Sequence, residues 1–319
     1  MHAVATMKPG VSKPDVSQTR TPLASLVGAS KRYGKVIALD NVDLQVLPGE
    51  VLAVLGPNGA GKTTALGLLM GLRRADAGRA ELFGIDPRDL AARRQIGVML
   101  QEARLPDTLT VVELVRQFSG YYPMPRPIID TLTLAGLNEL AHRRYGALSG
   151  GQQRRVQFAL AICGRPRLLF VDEPTTGLDV EARRMFWNVL RALTDEGVSI
   201  VLTTHYLEEA DALADRIVLL AQGRVLAQGT PAQIKAHAAG KRVRCVTSVA
   251  VSALSSWPGV DEVAQRAGIT ELRTNDAEAV LRRLLAADAQ LSGLEVLPLA
   301  LDDAFLALTG SNTAAQEAA

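Results

Sequence analysis

The chain has 319 residues, enough for two domains of ordinary size. With 48% hydrophobic and 21% charged residues, a mostly disordered protein is excluded, because there is ample apolar surface to bury. The 35 Lys and Arg against 33 Asp and Glu leave a net charge of +2, which argues against nucleic acid as a partner held by bulk charge.

The first residues carry Lys8, Lys13 and Arg20 among Ser, Thr and Pro and lack the apolar stretch of a secretory signal, so 1–22 is expected to be a flexible tail. From Leu23 onward strand-like and helix-like pieces alternate. Residues 42–46 alternate apolar and polar, as a half-buried strand does, and 51–55 are continuously apolar, as in a strand covered on both faces. A glycine-rich loop and a helix over 62–70 follow, then strands at 79–83 and 96–100. Helical periodicity at 111–118 and 128–134, broken apart by Pro123, Pro125 and Pro127, predicts a helical insertion over about 102–147. Ser149 opens a helix reaching Cys163; a strand at 168–171, a helix at 180–195 and a strand at 198–203 come next. Residues 216–220 and 224–227 flank Gln222-Gly223 as a hairpin. Strands alternating with helices predict an α/β fold on a parallel sheet.

Beyond residue 239 the order changes to strand 242–246, helix 249–255, strands 260–267 and 269–274 around Gly268, a helix capped by Asp276, and a strand at 294–297. That β-α-β-β-α-β order suits a small ferredoxin-like α+β domain over 239–312, closed by a helix at 302–308 and followed by a tail at 313–319. No apolar run approaches the ~18 residues that span a bilayer. Two cysteines, Cys163 and Cys245, make neither a disulfide framework nor a zinc cluster; both are expected to be buried thiols in a reducing, cytosolic setting.

Gly56-Pro57-Asn58-Gly59-Ala60-Gly61-Lys62-Thr63-Thr64 fits G-x-x-x-x-G-K-[ST] and stands between a buried strand and a helix, as that motif requires. Glycines let the backbone N–H groups wrap a phosphate chain, and the helix N-terminus adds partial positive charge. Lys62, one of only 7 lysines beside 28 arginines, is placed to bridge the β- and γ-phosphates, and Thr63 to bind Mg²⁺. The apolar run Leu168-Leu169-Phe170-Val171 ends in Asp172-Glu173: Asp172 is placed to hold Mg²⁺ and Glu173 to polarise a water. Leu148-Ser149-Gly150-Gly151-Gln152 sets a capping serine and two glycines at another helix start, a second anion site that one ATP does not need. Such a site suits a nucleotide held by another subunit.

With these motifs in this order, residues 24–235 resemble the nucleotide-binding subunits of ATP-binding cassette (ABC) transporters, whose signature motif Leu148 to Gln152 matches without a change. The resemblance implies a P-loop NTPase with a parallel core, an antiparallel β subdomain and a helical insertion, forming an ATPase domain over 23–238. It implies that Tyr33 stacks on adenine, that Gln101 contacts Mg²⁺ and the attacking water, and that Asp179, after Leu178, communicates across a dimer. Glu173 is implied as the catalytic glutamate and His205 as the contact to the γ-phosphate. ATP and Mg²⁺ are the implied cofactors, and the implied partners are a second copy of the chain and a separate multi-span permease. The implied location is peripheral, on the cytoplasmic face of the cell membrane. Residues 96–112, 148–156 and 203–210 and the segment Leu301 to Gly310 are similar to exporter ATPases of the ABC-2, daunorubicin-resistance-like group. An importer ATPase, a non-transport ABC protein acting on ribosomes or DNA, and a P-loop kinase or GTPase are the alternatives; the signature motif speaks against the last. Trp187, Trp257, His142 and His237 read as ordinary packing or surface residues, and Arg143-Arg144, Arg154-Arg155 and Arg183-Arg184 as solvated helix faces.

Overall fold

The computed structural model describes residues 21–236, 240–299, 301–305 and 308. The expected tails, except for residues 21 and 22, lie outside the described residues, as do His237, the boundary between 238 and 239, and parts of the closing helix.

In chain order, β1 (Ala24–Tyr33) and β2 (Val36–Val46) lead to β3 (Val51–Leu55) and α1 (Lys62–Leu69). Next come β4 (Ala77–Leu82), α2 (Leu90–Arg93) and β5 (Ile96–Met99), then the helical insertion with α3 (Val111–Ser119) and α4 (Ile128–Leu134). The core resumes with α5 (Gly150–Ile162), β6 (Leu168–Asp172), α6 (Val180–Asp195), β7 (Ser199–Thr203), α7 (Leu207–Leu213), β8 (Arg216–Ala221), β9 (Arg224–Gly229) and α8 (Pro231–Lys235). The last part holds β10 (Lys241–Val246), α9 (Val251–Ser255), β11 (Val260–Arg266), β12 (Ile269–Thr274), α10 (Ala277–Ala287) and β13 (Ser292–Pro298).

The central sheet runs β5-β6-β7-β3-β8-β9, parallel except for β9, which returns antiparallel to β8. Every residue of β3, β6 and β7 is buried, which explains their unbroken apolar runs. A separate antiparallel sheet, β2-β1-β4, packs with α1 on one face of the core. β1 lacks clean alternation: Gly28 stands in it at φ 56°, and its pairing with β2 slips register three times. Its strand character comes from hydrogen-bonded neighbours on both edges, so its own residues announce it poorly. α2 and α8 span four and five residues, too short to show a helical period.

The C-terminal sheet has the order β11-β12-β10-β13 with every pair antiparallel, the arrangement of a split βαβ unit. Ala267 and Gly268 join β11 to β12 at φ 48° and 80°, the two left-handed positions of a tight hairpin. Val243, Cys245, Leu254, Leu272, Val280 and Leu284 form its core. The chain then returns to the central sheet, where Leu299, Leu301 and Ala304 pack with Leu55, Ala210, Ile217, Leu219 and Ile234.

Candidate functional site

Parallel strands present their C-terminal ends along one edge, where α/β proteins hold their ligands. β3 ends in the phosphate loop, β6 in Asp172 and Glu173, β7 in Thr203 followed by His205, and β5 just before Gln101. Residues far apart in sequence are therefore gathered by strand order alone. Tyr33, Asn58 to Thr64, Gln101, Asp172 and Glu173 line one cavity of about 310 Å³.

Two positions of the loop around this cavity have no room for a side chain. A Cβ on Gly56, at φ 157°, would lie 2.2 Å from the Leu220 carbonyl oxygen, and one on Gly61, at φ 105°, 2.4 Å from that of Ala38. Gly61 caps α1, so the free N–H groups of that helix open toward the cavity. Lys62 Nζ donates to the carbonyls of Gly56 (2.7 Å) and Pro57 (3.1 Å), which holds the lysine against its own loop. Burial pulls the Lys62 ammonium below its ordinary value, opposed by Glu173 and Asp172. Tyr33 is 40% exposed, with the Arg73 guanidinium 5.2 Å and the Lys31 ammonium 5.6 Å from its ring centroid; an exposed ring at the cavity edge suits a flat aromatic base.

Asp172 is buried at the end of β6 and accepts a short hydrogen bond from the Thr203 hydroxyl of the neighbouring strand. Burial raises the Asp172 carboxyl above its usual range, and the Thr203 bond works against that rise. Glu173 follows at φ 50°, a conformation costly for a residue with a side chain. Its N–H is held by the carbonyl (3.1 Å) and hydroxyl (3.2 Å) of Thr203, which fix that bend. Glu173 Oε2 lies 2.5 Å from His205 Nδ1, joining the ends of β6 and β7. His205 also borders a smaller cavity of about 250 Å³ with Gly56, Pro57, Asn58 and Phe305 of the returning C-terminal segment. The oxygens of Thr63, Gln101 and Asp172 form a hard donor set with a single carboxylate, which suits a cation that also takes phosphate and water.

The second motif stands elsewhere. Ser149, Gly151, Gln152, Leu178 and Asp179 line a different cavity of about 510 Å³, between α4, α5 and α6. Ser149 caps α5 in a reciprocal box with Gln152, leaving Ser149 and Gly150 exposed. Asp179 caps α6 by accepting from the N–H of Ala182 at 2.7 Å.

Three readings of single residues need correction. Arg154 is no solvated helix residue: it is buried on the inward face of α5 with Phe158 and Ile162, four and eight residues on. Arg183 stacks its guanidinium 4.3 Å from the ring centroid of Tyr206. Trp187 is more than packing, since its Nε1 donates to Glu209 at 3.0 Å. Thr203 and Glu209 escaped notice because a threonine in a strand and a glutamate in an acidic helix carry no local signal. Cys163 and Cys245 are buried, and burial pushes the Cys163 thiol up to about 11.

The family model described as ABC transporter matches residues 39–176. A daunorubicin resistance ATP-binding protein of Streptomyces coeruleorubidus is 38% identical over 310 residues, covering 92% of this chain and 97% of that protein. A Nod factor export ATP-binding protein I of Ralstonia nicotianae is 37% identical, covering 91% and 94%. Among solved structures, an ATP-binding subunit of an ABC transporter aligns with a TM-score of 0.63 at 28% identity, covering 67% of this chain and 92% of that one. A dimeric ATP-binding cassette in a post-hydrolysis state, bound to ADP and Pi, aligns with a TM-score of 0.60 at 27% identity, covering 65% and 98%. The likeness runs through the phosphate loop and the buried carboxylates and, in the relatives, along nearly the whole chain: this protein belongs to the ABC transporter family, as an ATP-binding subunit with ATPase activity.

Proposed function

We propose that two copies of this chain close around two ATP molecules at the cytoplasmic face of the membrane and drive a separate multi-span permease that exports its cargo. The observation that carries the reading is the division of the motifs. The phosphate loop and its carboxylates line one cavity, while Ser149 and Gly150 are exposed beside another. Each half lacks what the other holds, so a second copy completes both. A dimeric cassette among the solved relatives supports this assembly, and relatives named for drug resistance and Nod factor export favour an exporter over an importer. Among the described residues no helix is long and apolar enough to cross a membrane, so the cargo path needs another chain. In this reading residues 23–238 are the ATPase domain, 102–147 its coupling subdomain and 239–312 an accessory domain.

Within each site the N–H groups of the loop from Gly56 to Thr64 cradle the phosphates, Lys62 neutralises the β- and γ-phosphates, and Tyr33 stacks on the base. Thr63, Gln101 and Asp172 hold Mg²⁺, which when bound neutralises phosphate charge. Glu173 takes the proton of the attacking water, and His205, already in contact with Glu173, orients that carboxylate and reaches the γ-phosphate. Ser149, Gly150, Gly151 and Gln152 meet the nucleotide of the second copy, and Asp179 crosses between the two.

The test is Glu173→Gln in the full chain. We expect phosphate release to fall by about 100-fold or more while ATP binding persists and ATP drives a stable dimer, read by light scattering. Turnover near the parental rate would sink the assignment. Replacing Ser149 with a bulky Arg is expected to remove the cooperative dependence on ATP concentration; a sigmoidal curve that survives it contradicts the shared site. Affinity purification from solubilised membranes is expected to bring down a multi-span protein.

A further inference from the structure

Arg154 lies in the second turn of the helix that Ser149 caps, and it is buried. Its Nη1 donates to the carbonyls of Leu100 (2.7 Å) and Gln101 (2.9 Å) and to Gln157 Oε1 (2.9 Å). Its Nη2 donates to the carbonyls of Asp172 (3.0 Å) and Glu173 (2.6 Å), and its Nε to that of Pro174 (3.3 Å). These carbonyls follow or end β5 and β6, neighbouring strands that deliver Gln101 and Glu173 to the phosphate cavity. One planar guanidinium thus joins α5 to both strand ends.

A guanidinium is suited to this task. Its N–H groups fan out in a fixed plane and reach several acceptors at once, which the compact head of a lysine does not do. Burial lowers the Arg154 pKa, while Asp172 and Glu173 favour its charged form, so the cation stands behind the two carboxylates it helps to place. The carbonyls it serves come from two segments with different immediate duties. A purely local structural bond would have tied only one of them.

We propose that Arg154 is a positioning residue for ATP hydrolysis. It touches no substrate; it locks the main chain at Gln101 and at Glu173 to α5. When Ser149 at the head of α5 engages the nucleotide of a second copy, the shift of that helix is carried through Arg154 to the water-activating and metal-binding groups of its own site. The proposal rests on the roles given above to Glu173, Gln101 and Ser149.

The experiment measures steady-state ATPase kinetics and thermal unfolding of the full chain as parent, Arg154→Met, Arg154→Lys and Glu173→Gln. Arg154→Met is expected to keep KM within about threefold, lose kcat by about tenfold or more, and flatten the sigmoidal ATP dependence. Arg154→Lys, which retains some of the donors, is expected to fall between parent and Arg154→Met. A kcat for Arg154→Met within about threefold of the parent overturns the proposal. So does a proportional loss of active protein, with KM and cooperativity of the remainder unchanged and Arg154→Lys no better. If Arg154→Met does not fold, Arg154→Lys decides alone: kcat lowered about threefold or more at constant KM supports the tether, and a parental kcat overturns it. Parental turnover in Glu173→Gln would defeat the reading of the site itself. An inactive Glu173→Gln beside a fully active Arg154→Met would defeat only the role of Arg154.

Discussion

Gly61 and Glu173 both sit in left-handed backbone conformations, for opposite reasons. Gly61 has no room for a side chain, so Gly61→Ala is expected to displace the loop from Ala38 and abolish nucleotide binding, measurable with a fluorescent ATP analogue. Glu173 carries its side chain at φ 50° because Thr203 holds its N–H twice and the carboxylate must face the cavity. Glu209 is a different kind of residue, buried and bound by Trp187 Nε1 (3.0 Å) and the Thr175 hydroxyl (3.3 Å). Burial raises its carboxyl above the ordinary range. The folded protein therefore holds that proton more tightly than the unfolded chain does. The stability this lends is full at acid pH and is lost as pH rises through the titration of the folded group. Glu209→Gln removes the charge, keeps an acceptor oxygen for Trp187 Nε1 and turns the other end into a donor that the Thr175 hydroxyl can accept. Its melting temperature is expected to gain on the parent as pH is raised from about 5 to about 8, in scanning calorimetry. A difference independent of pH would show that the carboxyl titrates alike in both states.

At the scale of elements, local chemistry explains the helices better than the strands. Thr110 Oγ1 accepts from the Glu113 N–H, and Glu113 Oε2 accepts from the Thr110 N–H at 2.8 Å, a reciprocal box at the head of α3. Thr110→Ala is expected to cost about 1 kcal/mol of stability in denaturant unfolding, with KM for ATP unchanged because the box lies away from the phosphate cavity. The same kind of box starts α5 at Ser149 and α8 at Thr230. Long helices with such caps, and the fully buried strands β3, β6 and β7, could be read from the chain because burial and capping leave periodic or continuous patterns. β1 could not, since its conformation depends on partners along both edges. Arg154 was misread for a related reason: an arginine pair suggests solvent, and only the position of the helix against β5 and β6 turns one of the two inward.

For the whole molecule, the decisive contact is the return of the chain after β13. Leu301 is buried against the outer face of the central sheet, near Leu55 at the base of the phosphate loop. Arg242 in β10 donates to Asp303 at 2.7 Å, tying the C-terminal sheet to the same segment. Leu301→Ala is expected to destabilise the protein by about 2–5 kcal/mol, seen as a lower thermal midpoint. An unchanged midpoint would mean that the segment packs too loosely to matter.

The sequence by itself determined the chemistry: a phosphate loop, a strand ending in two carboxylates, a signature loop, and the order in which they occur. Those features are local, because each depends on a few adjacent residues with particular shapes and charges. Only the tertiary structure decided which of them meet. Strand order β5-β6-β7-β3 brings Gln101, Asp172, Glu173, His205 and the phosphate loop to one edge and leaves Ser149 and Asp179 beside another cavity. The partners of Arg154, Thr203 and Glu209 were decided at that level too. Hydrogen bonds between residues 18 to 54 positions apart depend on how sheets and helices pack, and the local pattern of the chain does not say which segments will meet.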